Sequence, residues 1–173
     1  MGHGVPPIQQ PIDHGIRPSL SVDVETEMPG DFFTQMRAVF TLQRMLAINR
    51  PVSAGKPPAL LTAREVVEFA TIGGAKDNHL DRKVGTLTPG KEADGIMLRI
   101  DQINVMPVNN AYGAIIVGMD TSNVGTVIVG GKIMKRSGKM MGVDLARVKR
   151  VAEASRDYLF AKTGGPRNLF GDR

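Results

Sequence analysis

Three acidic residues that are close together in the sequence are candidates for catalysis or metal binding. Asp23 is the last polar residue of the run 19–24, in which apolar and polar residues alternate, and Glu25 and Glu27 follow it. Alternation with a period of two predicts a β-strand. In parallel α/β folds, residues at the carboxyl ends of strands line the active site, so Asp23 is a candidate metal ligand or general base. The alternative is that Asp23 caps a loop and that the two glutamates are solvated.

Histidine is scarce and scattered. The three histidines are His3, His14 and His79. No HxH pair and no HExxH motif occurs, so no local metal-binding spacing is present. His3 and His14 both precede the Asp23 run. The sequence does not assign a role to either of them or to Glu25, and it places His79 past the end of a helix.

The composition excludes several classes of site. The 173 residues include no cysteine, which rules out disulfides, thiolate zinc sites, iron–sulfur clusters and a cysteine nucleophile in this sequence. Tryptophan is also absent and aromatic residues make up 5% of the chain, so stacking platforms for single-stranded nucleic acid are few. Apolar residues at 42% and charged residues at 23% are ordinary for a globular protein.

Positive charge is concentrated toward the end of the chain. Residues 132–173 contain 11 Lys and Arg against 4 Asp and Glu. We interpret this excess as a solvated helix face and terminus, and we do not expect a nucleic-acid partner. The longest apolar stretch, 113–119, is far shorter than a membrane span, and no signal peptide precedes it. We therefore expect a cytoplasmic protein without a membrane partner.

Three helices have clear boundary signals. Apolar spacing of three and four residues predicts a helix over 31–48 with Asp31 as its N-cap. Thr62 and Glu65 form a capping-box pattern that begins a second helix, which extends to about residues 73–74. A third helix begins near Asp144 and ends where Gly164 follows its last turn.

Short β-type runs occupy the region between the second and third helices. The sequence predicts strands over 95–100, 114–119, 125–129 and 132–135. The last two flank Gly130 and Gly131, a two-residue pattern typical of a hairpin.

Three stretches together resemble one family. Residues 61–75 (LTAREVVEFATIGGA), 84–94 (VGTLTPGKEAD) and 127–133 (VIVGGKI) are similar in order and spacing to the carboxyl-terminal region of amidohydrolase-superfamily enzymes. The resemblance is greatest to the branch that contains cytosine deaminase-like, triazine hydrolase-like and S-adenosylhomocysteine deaminase-like enzymes. It covers nearly the whole chain.

The resemblance implies an α/β fold: the last strand and helices of a (β/α)8 TIM-type barrel, a small carboxyl-terminal β-sandwich and a terminal helix. Residues 19–24 then fall where the eighth barrel strand belongs. The implied domains are 1–82 for the end of the barrel, 83–142 for the sandwich and 143–173 for the terminal helix and tail.

The resemblance also implies a function. Family members use a divalent metal, zinc or iron, to activate the water that hydrolyses a non-peptide carbon–nitrogen bond in a small-molecule substrate, as in the deamination of a heterocycle or amidine. Asp23 matches by position the strand-eight aspartate, which is both a metal ligand and a catalytic proton carrier. Homo-oligomers are common in the family.

The family's HxH strand and middle-strand histidines are missing from this sequence. A catalytic zinc needs about three protein ligands, so one carboxylate cannot hold it. We therefore expect this chain to be the carboxyl-terminal part of an amidohydrolase that neither retains the metal nor hydrolyses substrate alone. The alternative is a non-catalytic oligomerisation or binding module derived from the same fold.

Overall fold

The structure is a computed structural model that describes residues 6–25, 29–49 and 59–165. The chain divides into two compact units, Met1–Lys139 and Met140–Arg173.

The first unit begins with two helices of different length. Helix α1 is Gln9–Asp13, and Gly15 follows it with φ of 72°. Helix α2 is Phe32–Ile48, and the Asp31 carboxylate accepts a hydrogen bond from the Thr34 N–H at 2.8 Å. This contact confirms the predicted N-cap, and it satisfies one of the N–H groups that the first helical turn leaves free.

The second predicted helix is also confirmed. Helix α3 is Ala63–Glu68, and it continues through a π-helical segment, Phe69–Gly73, into α4, Gly74–Asp77. The Thr62 hydroxyl accepts from the Glu65 N–H at 3.2 Å, while the Glu65 carboxylate accepts from the Thr62 N–H at 2.9 Å. The capping box predicted from the sequence is therefore formed in full.

The predicted strand over 114–119 is wrong. Residues Ala111–Gly113 form helix α5, which continues as the π-helical segment Ala114–Gly118. The Asn110 side chain begins this helix by accepting from the Gly113 N–H at 2.8 Å. The apolar β-branched run suggested a strand, but a short buried run has no periodicity that separates strand from helix.

The sheet is antiparallel with strand order β1–β2–β3–β4. Its strands are β1 Gly95–Leu98, β2 Val124–Val129, β3 Lys132–Arg136 and β4 Lys139–Met140. Gly130 and Gly131 have φ of 53° and 76°, as a tight hairpin between β2 and β3 requires, so the predicted hairpin is confirmed. The described residues form this one sheet, and the sandwich stays a prediction.

A β-bulge changes the side on which β3 presents its side chains. Ile128 pairs with Ile133 but the preceding Val127 pairs with Lys135, so one residue of β3 is extra. Because paired residues point to the same face, the bulge places Lys135 on the same face as Lys132.

The core of the first unit lies between α2, α3 and the second π-helical segment. Its fully buried members include Val66 and Ile116, each 0% exposed. Burial of one such side chain contributes about 1.5–3 kcal/mol to stability. The core cluster is Phe33, Met36, Leu61, Val66, Phe69, Val105, Ile116 and Met119.

One buried amide joins three parts of this unit. Gln43 of α2 is 0% exposed, and its amide nitrogen donates to the Gln9 Oε1 at 2.7 Å and to the Ala59 carbonyl at 2.9 Å. Its own oxygen accepts from the Leu61 N–H at 3.1 Å. Each polar atom of the side chain is therefore paired, as burial requires.

The predicted strand over 19–24 is also wrong for this chain. None of these residues belongs to a β-ladder, although Leu20 does pack against the core. A strand is defined by hydrogen bonds to a neighbouring strand, and within the described ranges no segment supplies them.

The second unit consists mainly of helix α6, Leu145–Thr163. The Asp144 carboxylate accepts from the Arg147 N–H at 2.9 Å, and Gly164 ends the helix with φ of 62°. Both predicted ends are confirmed. Neither α6 nor any other helix in the described ranges has the length and apolar character to cross a membrane.

Candidate functional site

Asp23 lies at a sharp turn rather than on a strand. Its φ is 58°, and the Val24 N–H donates to the Val22 carbonyl across it at 2.8 Å. This is a three-residue turn of a rare and strained kind, although aspartate tolerates left-handed backbone better than most residues. The Asp23 N–H donates to the Ser21 Oγ at 3.1 Å. The Asp23 carboxylate is exposed and has no partner among the residues that the structure describes.

The stretch before Asp23 is attached to the helix α3. Arg17 makes ion pairs of 3.2 Å with both Glu65 and Glu68, and its guanidinium lies 5.2 Å from the centre of the Phe69 ring. These exposed ion pairs contribute little individually, but together they fix where the stretch starts. The pKa of Glu65 is lowered, chiefly because the Thr62 N–H donates to its carboxylate and also because Arg17 is near.

Gly73 allows the chain to run close to the helix. A Cβ at this position would lie 3.1 Å from the Glu68 carbonyl oxygen and 3.4 Å from that of Pro18. The cavity beside it has a volume of about 100 Å³ and is lined by Arg17, Phe69 and Lys76 among others. Ligand pockets usually measure roughly 300–1,000 Å³, so this cavity is too small for an ordinary small-molecule site.

A larger cavity lies on the sheet. Its volume is about 380 Å³, and its lining includes Met97, Arg99, Ser122 and Thr126. Its one charged side chain, Arg99, already donates to the Asp101 carboxylate at 3.1 and 3.0 Å. The lining therefore supplies hydroxyl groups but no free acid or base to activate them, as a catalytic site needs.

The other candidate residues are not gathered around Asp23. Glu25 lies against Gly30, where its carboxylate occupies the space that a Cβ would fill. His14 follows α1 and His79 follows α4, and both are exposed. His3 and Glu27 lie outside the described residues. Within the described ranges, no three histidine, aspartate or glutamate side chains are close enough together to hold a metal ion.

These donors do not fit a catalytic metal by themselves. A catalytic zinc takes three protein ligands and keeps a fourth position for water, whereas this part of the chain offers the single carboxylate of Asp23. No catalytic step through a metal follows from this geometry.

Sequence reasoning missed the contacts that position the site. Arg17 carries no local motif, because its partners Glu65 and Glu68 are about fifty residues away. Arg37 of α2 was missed for the same reason: it donates to the carbonyls of Ile116 at 3.1 Å and Met119 at 2.7 Å. The capping-box pattern of Thr62 and Glu65 was the one local signal in the sequence, and it indicated a structural role for Glu65.

Comparison with known proteins identifies the family. The sequence profile of the amidohydrolase family matches residues 1–134. The chain belongs to the amidohydrolase family.

Curated amidohydrolase relatives are named as deaminases. The 5-methylthioadenosine/S-adenosylhomocysteine deaminase of Desulforudis audaxviator is 29% identical over 154 residues, which cover 88% of this chain and 34% of the relative. The 5′-deoxyadenosine deaminase of Methanosarcina mazei is 26% identical over 163 residues, covering 94% of this chain and 35% of the relative. This amidohydrolase chain thus spans about a third of the length of the relatives that it matches.

Solved structures also match this chain over about a third of their own length. A zinc-bound adenosine deaminase from Xanthomonas campestris superposes with a TM-score of 0.77 at 20% identity, covering 87% of this chain and 33% of that one. The atrazine chlorohydrolase TrzN from Arthrobacter aurescens, complexed with zinc, gives a TM-score of 0.70 at 25% identity and covers 89% and 33%. The mixed helix and sheet arrangement is therefore that of the corresponding third of amidohydrolase structures.

Proposed function

We propose that this chain is the carboxyl-terminal part of a metal-dependent amidohydrolase that deaminates an adenosine-type nucleoside by hydrolysing a non-peptide carbon–nitrogen bond. The observation that carries this proposal is the family match over residues 1–134, together with deaminases among the relatives that align with most of the chain. The substrate class comes from the names of those relatives and is a proposal for this chain.

In this proposal residues 1–82 are the end of a (β/α)8 barrel, with 19–24 in the position of the eighth strand. Residues 83–142 contribute to a β-sandwich, and 143–173 form the terminal helix and tail. The superposition with the Xanthomonas campestris structure supports this arrangement, since the fold of the matched part is similar over 87% of this chain.

Asp23 is the residue that this chain contributes to the reaction. We assign it the roles of metal ligand and catalytic carboxylate because it matches by position the strand-eight aspartate of the family. Its carboxylate is exposed and has no competing partner among the described residues. The described residues contain no group of three metal donors. Because a catalytic metal needs about three protein ligands, the remaining ligands for zinc or iron must come from outside these residues.

The test starts from the coding sequence on either side of these 173 codons. We expect a continuous reading frame that encodes an HxH motif, and we expect its product to bind a divalent metal and release ammonia from adenosine or 5′-methylthioadenosine. Asp23→Asn should lower turnover by about 10²–10⁴-fold, the usual contribution of a general acid or base. Asn is chosen because it tolerates the left-handed backbone at this position.

Asp101→Asn is the matched control, since Asp101 is an exposed acid on the sheet side of the first unit and should leave turnover unchanged. A metal-loaded product of the longer frame without deaminase activity would reject the substrate class. Normal turnover in Asp23→Asn would reject the role of Asp23.

A second candidate function is self-association, favoured by the exposed apolar side chains of α6. Leu145, Val148 and Val151 are 64%, 55% and 60% exposed, and Tyr158 and Leu159 continue the same stripe. An apolar stripe of this kind usually marks an interaction surface. In this reading the chain is a non-catalytic module, and its partner is a second copy.

Light scattering after size-exclusion chromatography tests this second candidate. Self-association through α6 predicts a dimer that Val148→Asp converts to a monomer. Ala146→Asp adds the same charge on the opposite side of the helix, about 160° from Val148, and should leave the dimer intact. A monomeric wild-type chain at all concentrations would reject this candidate.

A further inference from the structure

Among the described residues, one side chain forms a hydrogen bond with Asp23, and it belongs to Ser21. The Asp23 N–H donates to the Ser21 Oγ at 3.1 Å. The Asp23 carboxylate accepts no hydrogen bond within the same part of the chain, so its direction depends on the backbone that carries it. Whatever fixes the backbone at Asp23 therefore also orients the candidate catalytic group.

The backbone at Asp23 needs such support. Its φ of 58° lies in the left-handed region, which residues with a side chain adopt at a cost, although aspartate does so more readily than most. The Val24 N–H donates to the Val22 carbonyl at 2.8 Å, but this is a backbone contact that most residue types could make. The contact with the Ser21 Oγ is the one that depends on a particular side chain.

Packing fixes the main chain on both sides of Ser21. Leu20 packs against the helical core of the first unit, and Val22 is partly buried. Ser21 lies between them and is exposed, so its hydroxyl takes no part in the core. A serine or threonine hydroxyl is well suited to this position, because it can bond to a backbone group two residues away, whereas alanine has no such group.

We propose that Ser21 is a positioning residue for Asp23: its Oγ holds the Asp23 N–H, keeps the backbone at Asp23 left-handed and so gives the carboxylate one direction. Loss of the Oγ would allow Asp23 to relax toward an extended backbone and turn the carboxylate away. This inference rests on the proposed function, and it adds a residue that acts on the reaction through Asp23.

The first test uses the 173-residue chain and does not depend on activity. In Ser21→Ala, the ratio of left-handed to extended conformers at Asp23 should fall about fivefold, the effect of losing one net hydrogen bond. NMR shifts and HN–Hα couplings of Asp23 measure this ratio. Ser21→Thr keeps an Oγ and should restore the wild-type ratio. Ser19→Ala is the matched control, since it removes a hydroxyl that has no described hydrogen bond and should leave Asp23 unchanged.

The second test uses the product of the longer reading frame. Ser21→Ala should lower kcat and kcat/KM by the same factor, up to about fivefold, because misplacing Asp23 weakens the transition state and not the binding of substrate. In the Asp23→Asn background the same substitution should change turnover by less than about twofold, since its effect passes through the Asp23 carboxylate. Ser21→Thr should retain the turnover of the wild type.

An unchanged conformation of Asp23 in Ser21→Ala would overturn the proposal, as would loss of the fold in that variant. Failure of Ser21→Thr to restore the wild-type values, or an equal loss of turnover from Ser21→Ala with and without Asp23→Asn, would also overturn it. If the conformational change occurs in the chain but the longer product releases no ammonia, the control of Asp23 by Ser21 stands and the proposed function is rejected instead.

Discussion

At the residue scale, Gly85 allows the loop that follows α4 to pack closely against that helix. Gly85 and Gly90 have φ of 88° and 91°, a region that side chains other than glycine rarely adopt. Their surroundings differ. A Cβ on Gly85 would lie 2.7 Å from the Ala75 Cβ and 3.1 Å from the Ile72 Cδ1, whereas a Cβ on Gly90 would have nothing within 4 Å.

Alanine substitutions at Gly85 and Gly90 distinguish the cost of backbone strain from the cost of steric crowding. Gly90→Ala should lower the free energy of unfolding by about 1–2 kcal/mol, the cost of left-handed backbone. Gly85→Ala should cost about 1–3 kcal/mol more, because α4 must move to admit the new methyl group. Urea denaturation of both variants measures the difference, and equal losses would show that the packing around Gly85 is looser than described.

Asp23 and Arg17 illustrate which features of the candidate site could be predicted from the sequence. Asp23 was predicted as a site residue from the alternating run that it ends and from the family resemblance, and in the structure its side chain is exposed. Its left-handed backbone was not predictable, because alternation indicates an extended chain and carries no information about a missing neighbour. The anchoring by Arg17 was equally invisible, since its partners lie far away in sequence.

At the element scale, the capping box of α3 couples helix stability to pH. The pKa of Glu65 is lowered in the folded protein, mainly by the Thr62 N–H. A lowered folded pKa means that the carboxylate stabilises the fold at pH values above its unfolded pKa, which is about 4.3. That stabilisation is lost as the pH falls through the lower folded pKa.

Replacing Glu65 with glutamine tests this coupling. Glu65→Gln keeps an acceptor for the Thr62 N–H but removes the charge, so at pH 7 the free energy of unfolding should fall by about 1 kcal/mol. The gap from wild type should shrink as pH drops below about 4.3. Glu92→Gln, at an exposed position whose side chain has no described partner, is the control and should follow wild type throughout. A gap that is constant with pH would contradict the coupling.

Elements with local end signals were predicted best. The N-caps Asp31, Thr62 and Asp144 each accept the expected backbone hydrogen bond, and the Gly130–Gly131 hairpin forms. The strand prediction for residues 114–119 failed because interactions that hold this segment come from residues far away in the sequence. Arg37 of α2 donates hydrogen bonds to the carbonyls of Ile116 and Met119. Local propensity cannot report a contact of that sequence separation.

At the scale of the whole molecule, the chain should be catalytically silent on its own. The described residues offer no group of three metal donors, and they cover about a third of the deaminases that they resemble. The purified 173-residue chain with added zinc should release no more ammonia from adenosine than its Asp23→Asn variant does. It should also bind less than one equivalent of zinc after dialysis, as measured by metal analysis.

Ammonia release from the wild-type chain above the Asp23→Asn background would contradict this expectation. It would mean that residues outside the described ranges, or a second copy, complete the metal site. The Asp101→Asn chain serves again as the control for loss of an unrelated exposed carboxylate.

The bulge in the β2–β3 hairpin changes the charge on one face of the sheet. By placing Lys135 on the same face as Lys132, it sets two positive charges beside Val127 and the half-exposed Val129. Two copies that stacked these faces would bring four ammonium groups together and away from water, which is unfavourable. A one-residue irregularity thus adds a second positive charge to this face of the sheet, and the added charge disfavours stacking of the face on a second copy of itself.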